Sequence, residues 1–342
     1  MVLLDLSLSE LKEYVKNKGL PGYRADQIFD ALYKAKSLEE ISNLSKEIKG
    51  KIENDYPKYE ILKILESADG TKKMALKLSD GSIVESVLLK YKYGYTVCVS
   101  TQVGCRMGCK FCASTIGGLK RNLSAGEILL QVLLFNRIVG GTVKERGVTN
   151  VVLMGCGEPL DNYDNVTKFL KLISSKDGIN ISQRNISLST CGLVDKIKKL
   201  ADDGFTITLT ISLHAPNDEI RKKIMPIANA YKISEILNAC DYYFSKTGRR
   251  VVFEYALIEN VNSSAENMLE LSHLLKGRSC HVNLIPLNSV KEQHLNGVSR
   301  KEAYRLMNIL NEHGISATVR RTMGEDIEGA CGQLRNKLGG GK

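Results

Sequence analysis

At 342 residues, 43% of them hydrophobic, the chain can bury one large domain with a substantial core plus a small appendage. Met1 to Glu10 shows no basic n-region with an apolar h-region, and no apolar run approaches the ~18 residues of a membrane span, so secretion and membrane insertion are not expected. Nine cysteines read as free thiols of a reducing cytoplasm, a net charge of +10 suits a polyanionic partner or simply a soluble surface, and 6% aromatics without Trp argue against a base-stacking module.

Ser7-Leu8-Ser9-Glu10 is a capping box that opens a helix through about Asn17, and amphipathic stretches follow at Ala25 to Ala35 and Ser45 to Tyr56. Residues 1–57 therefore form a small helical accessory domain. Its turn, Gly19-Leu20-Pro21-Gly22, fits either a helix-hairpin-helix, whose backbone amides hold phosphates, or a plain helical hairpin. From Tyr59 to Ser100 the pattern changes to short alternating strands punctuated by the hairpin dipeptides Asp69-Gly70 and Asp80-Gly81, which makes 58–94 a β-extension. Within it, a period of two puts Ile83, Glu85, Val87 and Leu89 on one face. A carboxylate in such a stripe either has a raised pKa suited to proton transfer or lies at an exposed edge. Cys98 follows on the strand Thr96 to Ser100, facing opposite to Val97 and Val99.

Cys105, Cys109 and Cys112 form a C-x3-C-x2-C cluster with no fourth cysteine nearby, and the first histidine after Cys112 is His214. A closed zinc site needs four protein ligands, whereas a 4Fe-4S cluster held by three cysteines keeps one iron open for a substrate or cofactor. Beyond the cluster, strand candidates near 148–154, 184–190, 205–212, 250–258, 280–286 and 315–321 alternate with helices, one opened by the capping box Ser124-Ala125-Gly126-Glu127. With Tyr95 to Ser100 as first strand, this is a parallel βα array.

Ligands of parallel βα folds bind where the carboxyl ends of the strands open. Four strands here end in polar residues: Gly155-Cys156-Gly157-Glu158-Pro159, Ser189-Thr190-Cys191-Gly192, Ser212-Leu213-His214-Ala215, and Asn283 within Val282-Asn283-Leu284-Ile285-Pro286. Glu158 could accept a hydrogen bond from a ligand, Ser189 and Asn283 could hold its polar groups, and the 212–214 backbone could line it; His214 as a general base is a rival reading. Cys331 follows the acidic, Gly-punctuated segment Gly324 to Ala330, and the Gly-rich end reads as a frayed tail.

The C-x3-C-x2-C spacing resembles the signature of the radical S-adenosylmethionine (SAM) superfamily. Cys98-Val99-Ser100-Thr101-Gln102-Val103-Gly104-Cys105, Gly157-Glu158-Pro159-Leu160, Ser212 to Glu219 and Ala330-Cys331-Gly332-Gln333-Leu334 extend the likeness to the radical SAM methyltransferases that modify adenine in 23S rRNA. The type most resembled is the dual-specificity rRNA/tRNA adenine-C2 methyltransferase, with the C8 resistance methyltransferase as a near neighbour. The resemblance implies an α/β fold, a partial (β/α)6 radical SAM barrel over 95–334 with a C-terminal catalytic-cysteine loop, preceded by the helical domain and the β-extension and followed by a basic tail at 335–342. It implies cluster ligands Cys105, Cys109 and Cys112, and SAM contacts at Gly157, Glu158, Ser189, Ser212, Leu213, His214 and Asn283. Cys331 would be the methyl-carrying thiol, Cys98 its resolving partner and Glu85 the proton acceptor, with two SAM used per methyl. The implied partners are 23S rRNA and tRNA, an electron donor and a thiol reductant, for a monomer without membrane contact. RNA phosphates would be met by Lys and Arg such as Arg249-Arg250 and Arg320-Arg321. Cys156 departs from the family, which usually has Met before Gly157-Glu158. A different radical SAM activity and a zinc-dependent RNA-binding protein are the other readings of the cysteine cluster.

Overall fold

The computed structural model describes residues 3–288 and 294–334, so the tail expected at 335–342 lies outside the described residues. The helical segment begins as its capping box requires: the Ser7 hydroxyl accepts the Glu10 N–H at 3.3 Å and the Glu10 carboxylate accepts the Ser7 N–H at 2.7 Å, starting α1 (Leu8–Asn17). Then come α2 (Tyr23–Tyr33) and α3 (Lys46–Ile52). The last stops short of the expected Tyr56, because Asp55 is drawn off to accept the Tyr14 hydroxyl at 2.6 Å and, through its carbonyl, the Leu3 N–H at 2.8 Å.

The next strands are β1 (Tyr59–Glu66), β2 (Lys72–Leu78), β3 (Ile83–Tyr91) and β4 (Gly94–Cys98), each antiparallel to its neighbour. At the predicted turns Gly70 and Gly81 have φ of 82° and 81°, a left-handed backbone that glycine adopts without strain. Two short strands, β5 (Gln102–Val103) and β6 (Arg121–Asn122), pair across the base of the cysteine loop. The parallel array continues from β4 through β7 (Val148–Leu153), β8 (Ile186–Thr190), β9 (Thr208–Ser212), β10 (Val251–Leu257), β11 (Cys280–Pro286) and β12 (Ala317–Val319). Its crossovers carry α4 (Ala125–Ile138), α5 (Tyr163–Ile173), α6 (Val194–Asp202), α7 (Asp218–Ile224) with α8 (Ile233–Thr247), α9 (Ala265–Leu275) and α10 (Arg300–Glu312).

One ten-stranded sheet results, in the order β1-β2-β3-β4-β7-β8-β9-β10-β11-β12. Since β1 and β12 remain its edges, the barrel is partial, and a seventh parallel strand follows the sixth βα unit. The extension is hydrogen-bonded into this sheet along the β3–β4 ladder.

A single apolar cluster joins the N-terminal helices to the barrel, running from Leu3, Leu11 and Ile28 to Leu129, Val151 and Leu209. Its tightest seam is the start of α4. There the Gly126 N–H donates to Asp5 Oδ1 at 2.6 Å, and a Cβ on Gly126 would stand 2.8 Å from the Leu4 carbonyl carbon and 2.9 Å from the Asp5 nitrogen. Both are backbone atoms and cannot swing aside, so Gly126→Ala is expected to lose about 1–3 kcal/mol of stability, read by denaturant unfolding.

Candidate active site

The cysteine loop leaves β5 through Gly104, whose φ is 80° and whose Cβ, if it had one, would lie 1.9 Å from the Gly118 carbonyl oxygen. It is bolted to the barrel where the Lys110 N–H donates to the Ile224 carbonyl at 2.9 Å, and the Thr115 hydroxyl donates to the Cys112 carbonyl at 2.9 Å. Held this way, Cys105, Cys109 and Cys112 border a cavity of about 150 Å³ at the carboxyl ends of the strands. Burial pushes all three thiols up, Cys105 to about 12, and Cys105 and Cys109 are raised further by neighbouring thiols. Among the described residues no group of three His, Cys, Asp or Glu closes on a single metal ion, so the three thiols border a wider space.

Gly157, Glu158, Ser189, Ser212 and His214 line the same cavity. The Glu158 carboxylate is buried and held by two backbone donors, the Leu160 N–H at 3.0 Å and the Cys191 N–H at 2.8 Å. Burial raises its pKa and those amides oppose the rise. Ser189 donates to Glu254 Oε2 at 3.1 Å and lies 3.2 Å from the Ser212 hydroxyl.

His214 has a left-handed backbone (φ 57°), and its Nδ1 accepts the Ala256 N–H at 2.9 Å, leaving the ring proton on Nε2. Burial, with the nearby Arg221 charge, pushes its pKa down to about 3. The ring is thus a neutral hydrogen-bond donor, and the general-base reading fails because its only free nitrogen carries the proton. Two expected contacts are not on the cavity wall. Leu213 is a core side chain, and Asn283 sits one strand step below Ile285, accepting the Thr318 hydroxyl at 3.2 Å. The asparagine that lines the wall is Asn288, which the sequence pattern did not single out.

Cys98 and Cys331 meet in a second, smaller cavity, and Cys331 belongs to the walls of both. Both thiols are free. Burial and then the neighbouring Cys331 push Cys98 up to about 12. Cys331 is also raised by burial, but Arg320, on the wall of the same cavity, pulls it back. Arg320 in turn donates to Glu254 Oε1 at 2.7 Å, so the expected role of Arg320 as a phosphate contact is corrected: its guanidinium is turned into the site. Arg249 and Arg250 precede β10 and lie at the opposite end of the barrel from the cysteines, with Arg249 donating to the Thr208 hydroxyl at 2.9 Å.

Glu85 is buried, which removes the exposed-edge alternative. Its Oε1 lies 3.5 Å from Lys73 Nζ, and it shares a face with Val87, whose register partner is Cys98. The carboxylate therefore stands on the barrel side of β3, one step nearer the mouth than Cys98. Cys156 is buried beside these groups and lines neither cavity. A radical SAM family model, described as the Radical SAM superfamily, matches residues 99–272, and one described as the ribosomal RNA large subunit methyltransferase N-terminal domain matches residues 1–56. A Clostridium perfringens protein named "Probable dual-specificity RNA methyltransferase RlmN" is 55% identical over 338 residues, 97% of this chain and 96% of the relative.

The chain belongs to the RlmN-type radical SAM methyltransferases.

A relative of the same name from Lachnoclostridium phytofermentans is 52% identical over 335 residues, covering 96% of this chain and 93% of its own. The crystal structure of a radical SAM methyltransferase from Sphaerobacter thermophilus superposes with a TM-score of 0.94 at 41% identity, covering 98% of this chain and 100% of the other. RlmN-type membership implies SAM and a 4Fe-4S cluster. The residues present fit both. Cys105 is buried and Cys109 and Cys112 are half-buried, and all three thiols are held above their ordinary pKa, so they need a cationic centre to ionise. Behind Cys109, the fully buried Arg221 holds the Leu213 carbonyl through Nε at 3.1 Å and the Cys191 carbonyl through Nη2 at 2.6 Å, while its Nη1 finds no hydrogen-bond partner among the described residues. A buried cation so placed suits an anionic cluster.

Proposed function

We propose that this RlmN-type enzyme installs a methyl group on C2 of an adenosine in 23S rRNA, and in tRNA, through a methyl-Cys331 intermediate resolved by Cys98, using two SAM per methyl. The observation that carries the reading is the position of Cys331, whose side chain borders the cluster-lined cavity on one side and the Cys98 cavity on the other.

C2 lies between two ring nitrogens and is electron-poor, so it cannot attack a methyl donor as an ordinary nucleophile. Bound in the larger cavity, held by Cys105, Cys109 and Cys112 and by Gly157, Glu158, Ser189, Ser212, His214 and Asn288, the cluster and SAM would supply a methyl group and a hydrogen-abstracting radical. Cys331 carries the one-carbon unit and becomes joined through it to the adenine, which must leave its stack to enter. Glu85 takes the ring proton from C2, and the unpaired electron left on the adduct passes to an external one-electron carrier, so that the ring regains its aromatic closed shell. Cys98, as thiolate, attacks the Cys331 sulfur; the S–S bond forms as the S–C bond breaks, and the carbon keeps the electron pair and picks up a proton. An external thiol reductant then returns two electrons to the Cys98–Cys331 disulfide, and a separate electron donor serves the cluster.

Nucleoside mass spectrometry of 23S rRNA and tRNA treated with the reconstituted enzyme tests this. The expected result is 2-methyladenosine with two SAM consumed per methyl. 8-Methyladenosine would move the reading to C8, and one SAM per methyl would overturn the intermediate.

A further inference from the structure

Lys73 is an interior lysine, only 7% exposed, in a strand where lysine normally faces water. Its register partner is Val87, so it projects on the same side of the sheet as Val87 and Glu85. The ammonium lies 3.5 Å from Glu85 Oε1 and donates to the Glu328 carbonyl oxygen at 3.1 Å. Glu328 lies three residues before Cys331. The same hairpin grips this segment again at the β1–β2 turn, where Asp69 Oδ2 accepts the Gly324 N–H at 3.0 Å and Asp326 Oδ2 accepts the Ala68 N–H at 3.4 Å. Gly324 is packed so closely that a Cβ there would meet Thr71 Cγ2 at 2.8 Å. From its far side the loop is tied to the cysteine loop: the Ala113 N–H donates to the Gly332 carbonyl at 2.8 Å and the Ser114 hydroxyl to the Leu334 carbonyl at 2.9 Å.

We infer that Lys73 is a positioning residue that fixes the Glu85 carboxylate, as anion, against the segment bearing Cys331. The inference rests on the proposed role of Glu85 as proton acceptor. One ammonium joins the proton-accepting carboxylate to the main chain of the thiol that presents the adenine, so the base and the carbon it serves keep a fixed relation. Ionisable groups beside Glu85 include Lys73 from β2 and the Cys156 thiol from the segment after β7. Lys73 is the cation seated 3.5 Å from its Oε1, and an opposite charge this close favours the ionised form of a carboxyl. Glu85 acts when ionised. Removing Lys73 therefore raises the pH at which the base becomes active.

The test is single-turnover formation of methyladenosine by holoenzyme already methylated on Cys331, followed against pH, for the parent, Lys73→Met, Lys73→Arg and Glu85→Gln, with iron content and thermal melting recorded. Lys73→Met is expected to move the acid limb of the rate profile up by about 1–3 pH units, a roughly tenfold slower rate per unit below the limb, with Lys73→Arg restoring it. A loss of packing alone would scale the rate at every pH without moving the limb. Amide exchange over 324–331 should quicken in Lys73→Met and not in Lys73→Arg. If Lys73→Met melts below the assay temperature, Lys73→Gln takes its place. An unmoved limb in a folded variant, with Glu85→Gln slow, overturns the role of Lys73 alone. Parental rates in Glu85→Gln overturn the proton-acceptor reading beneath it.

Discussion

Cys98→Ala is expected to convert the enzyme from a catalyst into a covalent trap for RNA. Without the resolving thiolate nothing breaks the bond between the Cys331 sulfur and the transferred carbon, so protein and RNA stay joined. A denaturing gel should show the adduct approaching one per enzyme, and free methyladenosine should fall by up to about six orders of magnitude, the scale of losing an activated nucleophile. Cys331→Ala is the matched control, since it neither accepts a methyl nor forms the adduct. The pair discriminates sharply because both thiols border the same cavity and are otherwise free. Turnover by purified Cys331→Ala would refute the assignment, whatever Cys98→Ala does.

Arg320→Met is expected to damage both the fold and the chemistry. The guanidinium is the ion-pair partner of Glu254, whose side chain is 8% exposed while that of Arg320 is 22% exposed. Removing one member of a buried pair costs about 3–5 kcal/mol, and the partial exposure of Arg320 places this case at or below the lower end. Urea unfolding monitors that loss. The second effect is on pH dependence. Burial raises the Cys331 thiol and Arg320 lowers it, so the variant loses the term favouring thiolate. Because the thiolate is the form that accepts a methyl, the acid limb of Cys331 methylation, followed as added protein mass, should move to higher pH. An unchanged limb would show that Arg320 serves only Glu254.

Much of the architecture could be read from the chain, and the reasons are local. The capping boxes at Ser7 and Ser124 declare their helices through two reciprocal hydrogen bonds each. The parallel strands announce themselves as apolar runs ending in polar residues, and their alternation with helices pointed to a parallel βα array. What stayed hidden depends on depth or on partners distant in sequence. Alternation places Asn283 on an interior face but does not point to Asn288, which lies two residues past the end of β11 and reaches the cavity wall only in the fold. Arg320, beside Arg321, looked like surface charge until the closing sheet brought Glu254 opposite. Lys73, in a run of two lysines, gave no hint of burial. Glu254 was within reach: in Val251-Val252-Phe253-Glu254-Tyr255-Ala256-Leu257 it interrupts an apolar strand as Glu85 does.

Cys331 forms part of two chambers while its backbone carbonyl is anchored by the Asn288 amide at 3.1 Å and the flanking residues are tied down on either side. On the proposed mechanism, loading and discharge of the carbon then call for a change of side-chain torsion, not for travel of the polypeptide. The staggered positions of a single Cα–Cβ bond can serve successive stations of a turnover. Such a pivot is quick, and it keeps a reactive one-carbon group out of bulk water between its arrival and its departure.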